Sequence, residues 1–316
     1  MLSLSAKSKI TKKFSGKIFS NFQLKNKLYY QIGGPADIFI APSSVEDIRL
    51  VVNLAWNESV PLTLLGAGTN LLVRDGGIRG VVLFLGYGLG GSPKILNENF
   101  QGALVSVPSF FAKAHLLQWA YENKLGGLEF SAGIPGTLGG AVWMNAGTKW
   151  GSYSDVIESV GFFHPEHGAF RKQKEDLGLK YRGHGEGLLD AWTVVEDIQV
   201  ILPKLSVEKL EESQKKIDEI LSYRGLRQPL ERPSCGSVFK NPETSEKGAG
   251  RMIEACGLKG LKMGDAQVST KHANFILNLG QAKASDVEGL IKKIQAEVFE
   301  KFQIQLEPEV IILGQQ

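Results

Sequence analysis

The stretch PSCGSVFKNP, residues 233–242, sets Ser237 between Gly236 and Val238, with Lys240 and Asn241 close behind. Prolines at both ends hold its backbone stiffly. The serine lacks the G-x-S-x-G elbow of an acyl-transfer nucleophile, and none of the five histidines is an evident base for it. Two readings stay open: a turn serine, or a donor of a proton to a strongly basic carbanion, for which a high pKa is no obstacle. LKYRGHGEG carries Tyr181 and Arg182, and LEPEVIIL carries Glu307 and Glu309. Taken alone, these are a surface arginine and a solvated strand edge, and they do not fix a reaction.

Two glycine-rich runs point to a ligand. GIPGTLGGAVWMNAG, residues 133–147, holds five glycines and no charge. Ordering glycine costs backbone entropy, so such a run has a cause: a positive φ or a close approach of backbone to a ligand. A sharp corner in a packed core is the plain alternative. LGAGTNLLVRDGG, residues 65–77, leaves a strand with two glycines that free backbone N–H groups, and Thr69 and Asn70 add donors. Such a nest binds a pyrophosphate without a lysine. The two glycine-rich backbone walls together fit one long anionic cofactor, a dinucleotide. GYGLGG at 86–91 matches G-x-G-x-x-G, but Ser92 and Pro93 follow where a Rossmann fingerprint requires a helix. The chain has no G-x-x-x-x-G-K-[ST] phosphate loop.

The elements that must position these residues follow from periodicity. Residues 37–42 read as a strand, and Ser43 with Glu46 has capping-box spacing ahead of a helix that Pro61 closes. A strand from 62 completes a β-α-β unit, and VVLFL (81–85) and a helix over 111–124 follow. Strands are expected over 156–163, 169–173 across the HPEHG turn, and 192–202, closed by Pro203. A charged helix over 206–224 marks a domain boundary. Beyond it come a helix near 249–256 with Gly257 as its cap and a strand over 273–278. A helix started by Ser285 with Glu288 and a closing strand over 304–313 complete the chain.

With 316 residues, 43% hydrophobic and 22% charged, the chain has room for two or three domains of an ordinary globular protein. A net charge of +3 gives no argument for nucleic acid. Lys7, Lys9, Lys12, Lys13 and Lys17 form a basic tail over residues 1–20, expected to be flexible, without the apolar core of a signal peptide. No apolar run approaches the roughly 18 residues of a membrane span, so membrane insertion is not expected. Cys235 and Cys256 have neither metal-ligand spacing nor the count of a disulfide scaffold. The expectation is a reduced, cytoplasmic protein with no metal.

The sequence resembles the UDP-N-acetylenolpyruvoylglucosamine reductase family from YYQIGGPADIFIAP to LEPEVIILG, about nine-tenths of its length. The two glycine runs resemble the broader FAD-binding fold shared with vanillyl-alcohol-oxidase-type (PCMH) enzymes. RQPLERPSCGSVFKNP and GAGRMIEACGLKGLKMGDAQVSTKHANFILN resemble this reductase family alone. The resemblance implies an α+β chain: an FAD-binding domain in two subdomains over 21–203, and a C-terminal α/β substrate-binding domain over 204–316 whose last strand returns to the flavin site. It implies noncovalent FAD held by Gly66, Ala67, Gly68, Thr69, Asn70 and Leu71 and by Gly133, Ile134, Pro135, Gly136, Gly139, Gly140, Asn145 and Gly147.

By the same resemblance NADPH is the hydride donor and UDP-N-acetylglucosamine enolpyruvate the substrate, and the enzyme is a monomer or weak oligomer. Arg182 matches the arginine of the family's Y-R-x-S segment, Ser237 the serine of G-S-x-F, and Glu309 the last glutamate of L-E-x-E-V. Arg182, with Glu309 acting as the protonated acid, then stabilises negative charge on the substrate and Ser237 gives the proton to C2, while Lys240, Asn241 and Arg227 meet substrate oxygens. The chain departs from the family at His184, where serine is usual, and at TKWGSY after MNAG, where AYG is common. Two rival classes are a flavin oxidase of the broader fold and a non-catalytic flavin- or nucleotide-sugar-binding module. The family-specific C-terminal half argues against the first and the intact trio against the second.

Overall fold

The computed structural model describes residues 14–187 and 190–316; most of the basic tail lies outside them. In chain order the elements begin with β1 (Lys17–Gln23), β2 (Pro35–Ala41), α1 (Val45–Asn57), β3 (Leu62–Leu65), β4 (Leu71–Val73) and β5 (Ile78–Phe84). Then come β6 (Lys94–Glu98), β7 (Gly102–Pro108), α2 (Lys113–Glu122), α3 (Leu138–Met144), β8 (Gly147–Thr148), β9 (Gly151–Ser152), β10 (Ile157–His164) and β11 (Gly168–Gln173). The chain continues through β12 (Val194–Pro203), α4 (Val207–Arg227), α5 (Ala249–Ala255), β13 (Lys262–Met263), β14 (Ala266–Val268), β15 (Ile276–Asn278), α6 (Ala284–Phe302) and β16 (Ile311–Leu313).

Contacts divide the chain into two compact units. The first holds Phe39–Ala67 and Gly80–Arg224 with the chain up to Ile18; the second holds Phe19–Ile38, Gly68–Arg79 and Gly225–Gln316. This division differs from the boundary expected at 203/204. The reason is visible in α4, whose Ile217 and Ile220 are buried against Ala132, Leu117 and Trp150 of the first unit. Part of the expected tail is also ordered: Lys17 opens β1, and the Ser15 hydroxyl donates to Asp47 Oδ2 at 3.0 Å.

The first unit is built on a five-stranded antiparallel sheet in the order β11-β10-β12-β7-β6. Along β7 buried and half-buried residues alternate, as a strand with one covered face requires. Val105, Val107, Val160, Ile198 and Val200 form one core with Leu116 and Ala120 of α2 and Leu138, Ala141 and Val142 of α3. The expected β-α-β unit is interrupted: in the sheet order β1-β2-β5-β3, β5 lies between β2 and β3. The helix cap also sits one residue later than expected. Ser44, not Ser43, accepts the Asp47 N–H at 3.0 Å, because the Asp47 carboxylate takes the Ser43 N–H at 2.9 Å.

The second unit packs α5 and α6 with the antiparallel sheet β13-β14-β15. Its core joins Tyr30, Val268, Ile276, Leu290, Ile294 and Val310. Helix α6 starts at Ala284 rather than at Ser285 and Glu288. Asp75 accepts the Ala284 and Ser285 N–H groups at 2.9 and 3.2 Å, and Glu288 pairs instead with Arg74 Nε at 2.8 Å. The closing strand is shorter than its pattern. Only Ile311–Leu313 continues as a strand, paired in parallel with Leu71–Val73, while Pro308, with no N–H to give, forms an isolated antiparallel bridge with Phe239. No helix of the described residues is long and apolar enough to cross a membrane.

Candidate active site

In the first unit, the run at 133–147 becomes a loop, the short helix α3, and a second loop begun by Asn145 in the left-handed region, φ 38°. Gly136 sits at φ +117°, a conformation that L side chains rarely adopt. A Cβ at Gly147 would meet the Gly151 carbonyl oxygen at 2.6 Å, so this is a close backbone approach. Most N–H groups of the run are engaged within the protein: Ile134 with Ser131 O, Leu138 with Phe111 O and Gly139 with Ser109 O. The Gly136 N–H donates to Tyr87 Oη at 3.0 Å.

Three cationic residues attach to this run. Arg182 Nη2 donates to Gly147 O at 2.8 Å and Arg224 Nη2 to Gly133 O at 3.0 Å. The Lys113 backbone N–H donates to Gly136 O at 3.0 Å. Arg182 stands at φ +54° in a turn closed by paired bonds between Lys180 and Gly183. A non-glycine residue persists there only where its surroundings determine it. Asn145 supplies part of that: its Nδ2 donates to Lys180 O at 3.1 Å, and its Oδ1 accepts the Ser154 N–H at 3.0 Å. His184, the departure from the family pattern, donates from Nδ1 to Gly185 O at 2.9 Å and packs edge-on to Trp143.

In the second unit, the closing segment lies beside Ser237. The Glu309 N–H donates to Val238 O at 2.7 Å and the Lys240 N–H to Glu307 O at 2.9 Å. Buried Asn274 braces this from the other side, accepting the Phe239 N–H at 2.9 Å and donating to Phe239 O at 2.8 Å. Asn70 of the first glycine turn joins the group: its Nδ2 donates to Glu309 O at 3.0 Å, and its carbonyl accepts the Ile311 N–H at 3.1 Å. Burial first, and then the Glu309 charge, push the Cys235 thiol up to about 12, so this cysteine is an inert thiol next to Glu309. Gly68–Leu71, Ser237 and Glu309 thus meet in one unit, while the 133–147 run and Arg182 meet in the other.

The two glycine runs differ in what they offer. Gly66, Ala67, Gly68 and Thr69 donate no backbone hydrogen bond from their N–H groups to any of the described residues. Consecutive amides without a protein acceptor fit the phosphate oxygens of a dinucleotide. The 133–147 run, whose amides are largely engaged, offers a fixed, uncharged wall instead.

Of the candidate substrate residues, Lys240 Nζ pairs with Glu307 Oε1 at 2.6 Å, and Asn241 Oδ1 accepts the Ala249 N–H at 3.0 Å at the start of α5. Arg227 is exposed at the end of α4. A groove of about 670 Å³ in the second unit, lined by Lys25, Gln31, Asp75 and Lys283 among others, contains none of the candidates.

Sequence reasoning missed Lys113 and Tyr87. Lys113 is buried, and burial, then the Arg182 and Arg224 charges, push its ammonium down from 10.5 to about 7. A signal was there: Lys113, Leu116 and Ala120 share the buried face of α2 at helical spacing. Tyr87 lies inside the rejected GYGLGG segment, whose glycines drew attention away from its hydroxyl.

Comparison with known proteins adds an independent line. Residues 36–169 match a family model described as an FAD binding domain. Residues 228–313 match one described as the C-terminal domain of UDP-N-acetylenolpyruvoylglucosamine reductase. A reductase of that name from Desulforamulus reducens is 40% identical over 306 residues, covering 95% of both chains. One from Listeria welshimeri is 40% identical over 299 residues, 93% of this chain and 95% of its own. The crystal structure of the Thermus caldophilus reductase superposes with a TM-score of 0.75 at 33% identity, over 95% of this chain and 99% of that one.

Proposed function

The chain belongs to the UDP-N-acetylenolpyruvoylglucosamine reductase family, and from that premise we propose that it reduces UDP-N-acetylglucosamine enolpyruvate to UDP-N-acetylmuramate for peptidoglycan synthesis, with Arg182, Ser237 and Glu309 acting on the substrate. It is an oxidoreductase with FAD as cofactor and NADPH as reductant. It works in the cytoplasm as a monomer or weak oligomer. The amides of Gly66 to Thr69 hold the anionic diphosphate of FAD, and the 133–147 run lies along the flavin.

When bound, the flavin supplies hydride chemistry: two electrons enter from NADPH and leave to the methylene carbon C3 of the enolpyruvyl group. The protein manages the charge that this creates. Hydride arrival at C3 leaves an electron pair at C2, delocalised into the adjacent carboxylate. Arg182, held by the Gly147 carbonyl and the strained 180–183 turn, presents a preoriented guanidinium to that carboxylate, and Glu309, as the protonated acid, supports the same developing charge. Ser237 then transfers its hydroxyl proton to C2, which completes the lactyl ether, and regains a proton from solvent. The observation that most supports this assignment is the 2.7 Å bond from Glu309 N–H to Val238 O, one residue from Ser237.

The test is oxidation of NADPH by the purified yellow protein. The account expects turnover only when UDP-N-acetylglucosamine enolpyruvate is added. Fast NADPH oxidation in air without that substrate would identify a flavin oxidase instead, and none under either condition a binding module.

A further inference from the structure

The hairpin turn between β10 and β11, His164-Pro165-Glu166-His167-Gly168, has no part in this reaction, yet it gathers metal-ligating groups in the first unit. Ligand atoms of His164, Glu166 and His167 all lie within 4.8 Å of one another. His167 Nε2 is 3.9 Å from Glu166 Oε2, and the rings of His164 and His167 stack with centroids 4.7 Å apart. His164, at the end of β10, has a side chain only 6% exposed, so the hairpin fixes its ring; Glu166 and His167 are exposed and free to turn.

The surroundings set the tautomer of His164. Its Nε2 lies 3.2 Å from Asp190 Oδ2, and its Nδ1 accepts the Glu166 N–H at 3.2 Å. A neutral ring meeting both partners carries its proton on Nε2 and its lone pair on Nδ1, facing the turn. Asp190 is itself held: Oδ1 accepts from Thr193 Oγ1 at 2.6 Å, Thr193 N at 2.8 Å and Trp192 N at 2.9 Å. A carboxylate behind a histidine is the arrangement that fixes a metal-binding imidazole and raises its basicity. A cation at Nδ1 displaces only the 3.2 Å amide contact.

We propose that this turn binds a borderline divalent transition-metal cation such as Zn2+, through His164 Nδ1, the Glu166 carboxylate and a ring nitrogen of His167, with Asp190 orienting His164 from behind. Two imidazoles and one carboxylate suit Zn2+, Ni2+ or Cu2+ and not Mg2+ or Ca2+, which take oxygen ligands. Three protein ligands leave a fourth position to water. Closing the site draws the exposed Glu166 and His167 side chains in to the usual ligand distance of about 2.0–2.2 Å.

The test is calorimetric titration of the tag-free FAD-loaded protein with Zn2+, with Ni2+ as a quencher of tryptophan emission in parallel. Trp56, whose ring centroid is 5.5 Å from that of His164, reports on the site. Wild type is expected to bind one Zn2+ saturably and to lose fluorescence with Ni2+ at the same stoichiometry. His167→Ala, an exposed change outside the reductase machinery, should abolish both signals and leave substrate-dependent NADPH oxidation unchanged. Asp190→Asn should weaken Zn2+ about 10- to 100-fold. Failure of wild type to saturate, or equal binding by His167→Ala, would overturn the site. An affinity untouched in Asp190→Asn would overturn the orienting role. None of these results bears on the reductase reaction, which the activity readout tests separately.

Discussion

Lys113 is a buried lysine whose ammonium feels the Arg182 and Arg224 charges, and its titration gives a prediction with a definite sign. Its proton is held less tightly in the folded chain, about 7, than in the unfolded one, 10.5. Between those values the unfolded state carries the extra proton, so stability rises with pH across that window and the penalty is complete below it. A single group of this kind changes stability by up to about 1.4 kcal/mol per pH unit. Lys113→Met, which keeps the buried stem without the charge, should therefore stabilise the protein most at pH 6.5 and progressively less toward pH 10. Denaturant unfolding of both proteins across that range checks this, and a pH-independent difference would contradict it. Residues of this kind mark the limit of what could be read in advance. Ser237, Arg182 and Glu309 stand out as candidates because family-specific motifs surround them. Lys240 and Asn241 were legible only as polar residues near Ser237, since their partners, Glu307 and the Ala249 N–H, come from segments that only folding brings together.

Elements were legible where periodicity decides them and slipped where a distant side chain does. The helical stripe of α2 and the alternation of β7 survive folding unchanged in kind. The start of α6 does not follow its local pattern, because Asp75 reaches over from the loop after β4 to cap it. The closing strand is divided between two partners, Pro308 bridging Phe239 and Ile311–Leu313 pairing with Leu71–Val73, which its apolar pattern alone does not distinguish. Asp75→Ala removes the acceptor for two helix N–H groups and should cost about 1–2 kcal/mol in denaturant unfolding. Asp286, which accepts the Lys283 N–H at 2.9 Å, offers a comparison at the same helix end. If Asp75→Ala leaves the unfolding midpoint unchanged, the bonds from Ala284 and Ser285 contribute nothing to α6.

At the scale of the whole molecule, neither glycine run contains a histidine or cysteine to attach a flavin, so FAD should be held without a covalent bond. Acid precipitation should release all yellow colour to the supernatant; colour kept in the pellet would contradict that. One chain then runs two half-reactions, reduction by NADPH and reoxidation by the enolpyruvyl substrate, and the proposed mechanism gives Ser237 work in only the second. No substrate carbanion exists while NADPH reduces the flavin, so that phase should be nearly untouched in Ser237→Ala. Reoxidation should slow by about 10²–10⁴-fold, the loss expected for a missing general acid. Ser237→Cys should recover part of the rate. A serine that merely shapes its turn would slow both phases alike through lost stability. Stopped-flow absorbance of the flavin, recorded separately for the two half-reactions of Ser237→Ala, is therefore the decisive measurement. A selective loss of reoxidation is the predicted result, and equal slowing of both phases, or unchanged reoxidation, would contradict it.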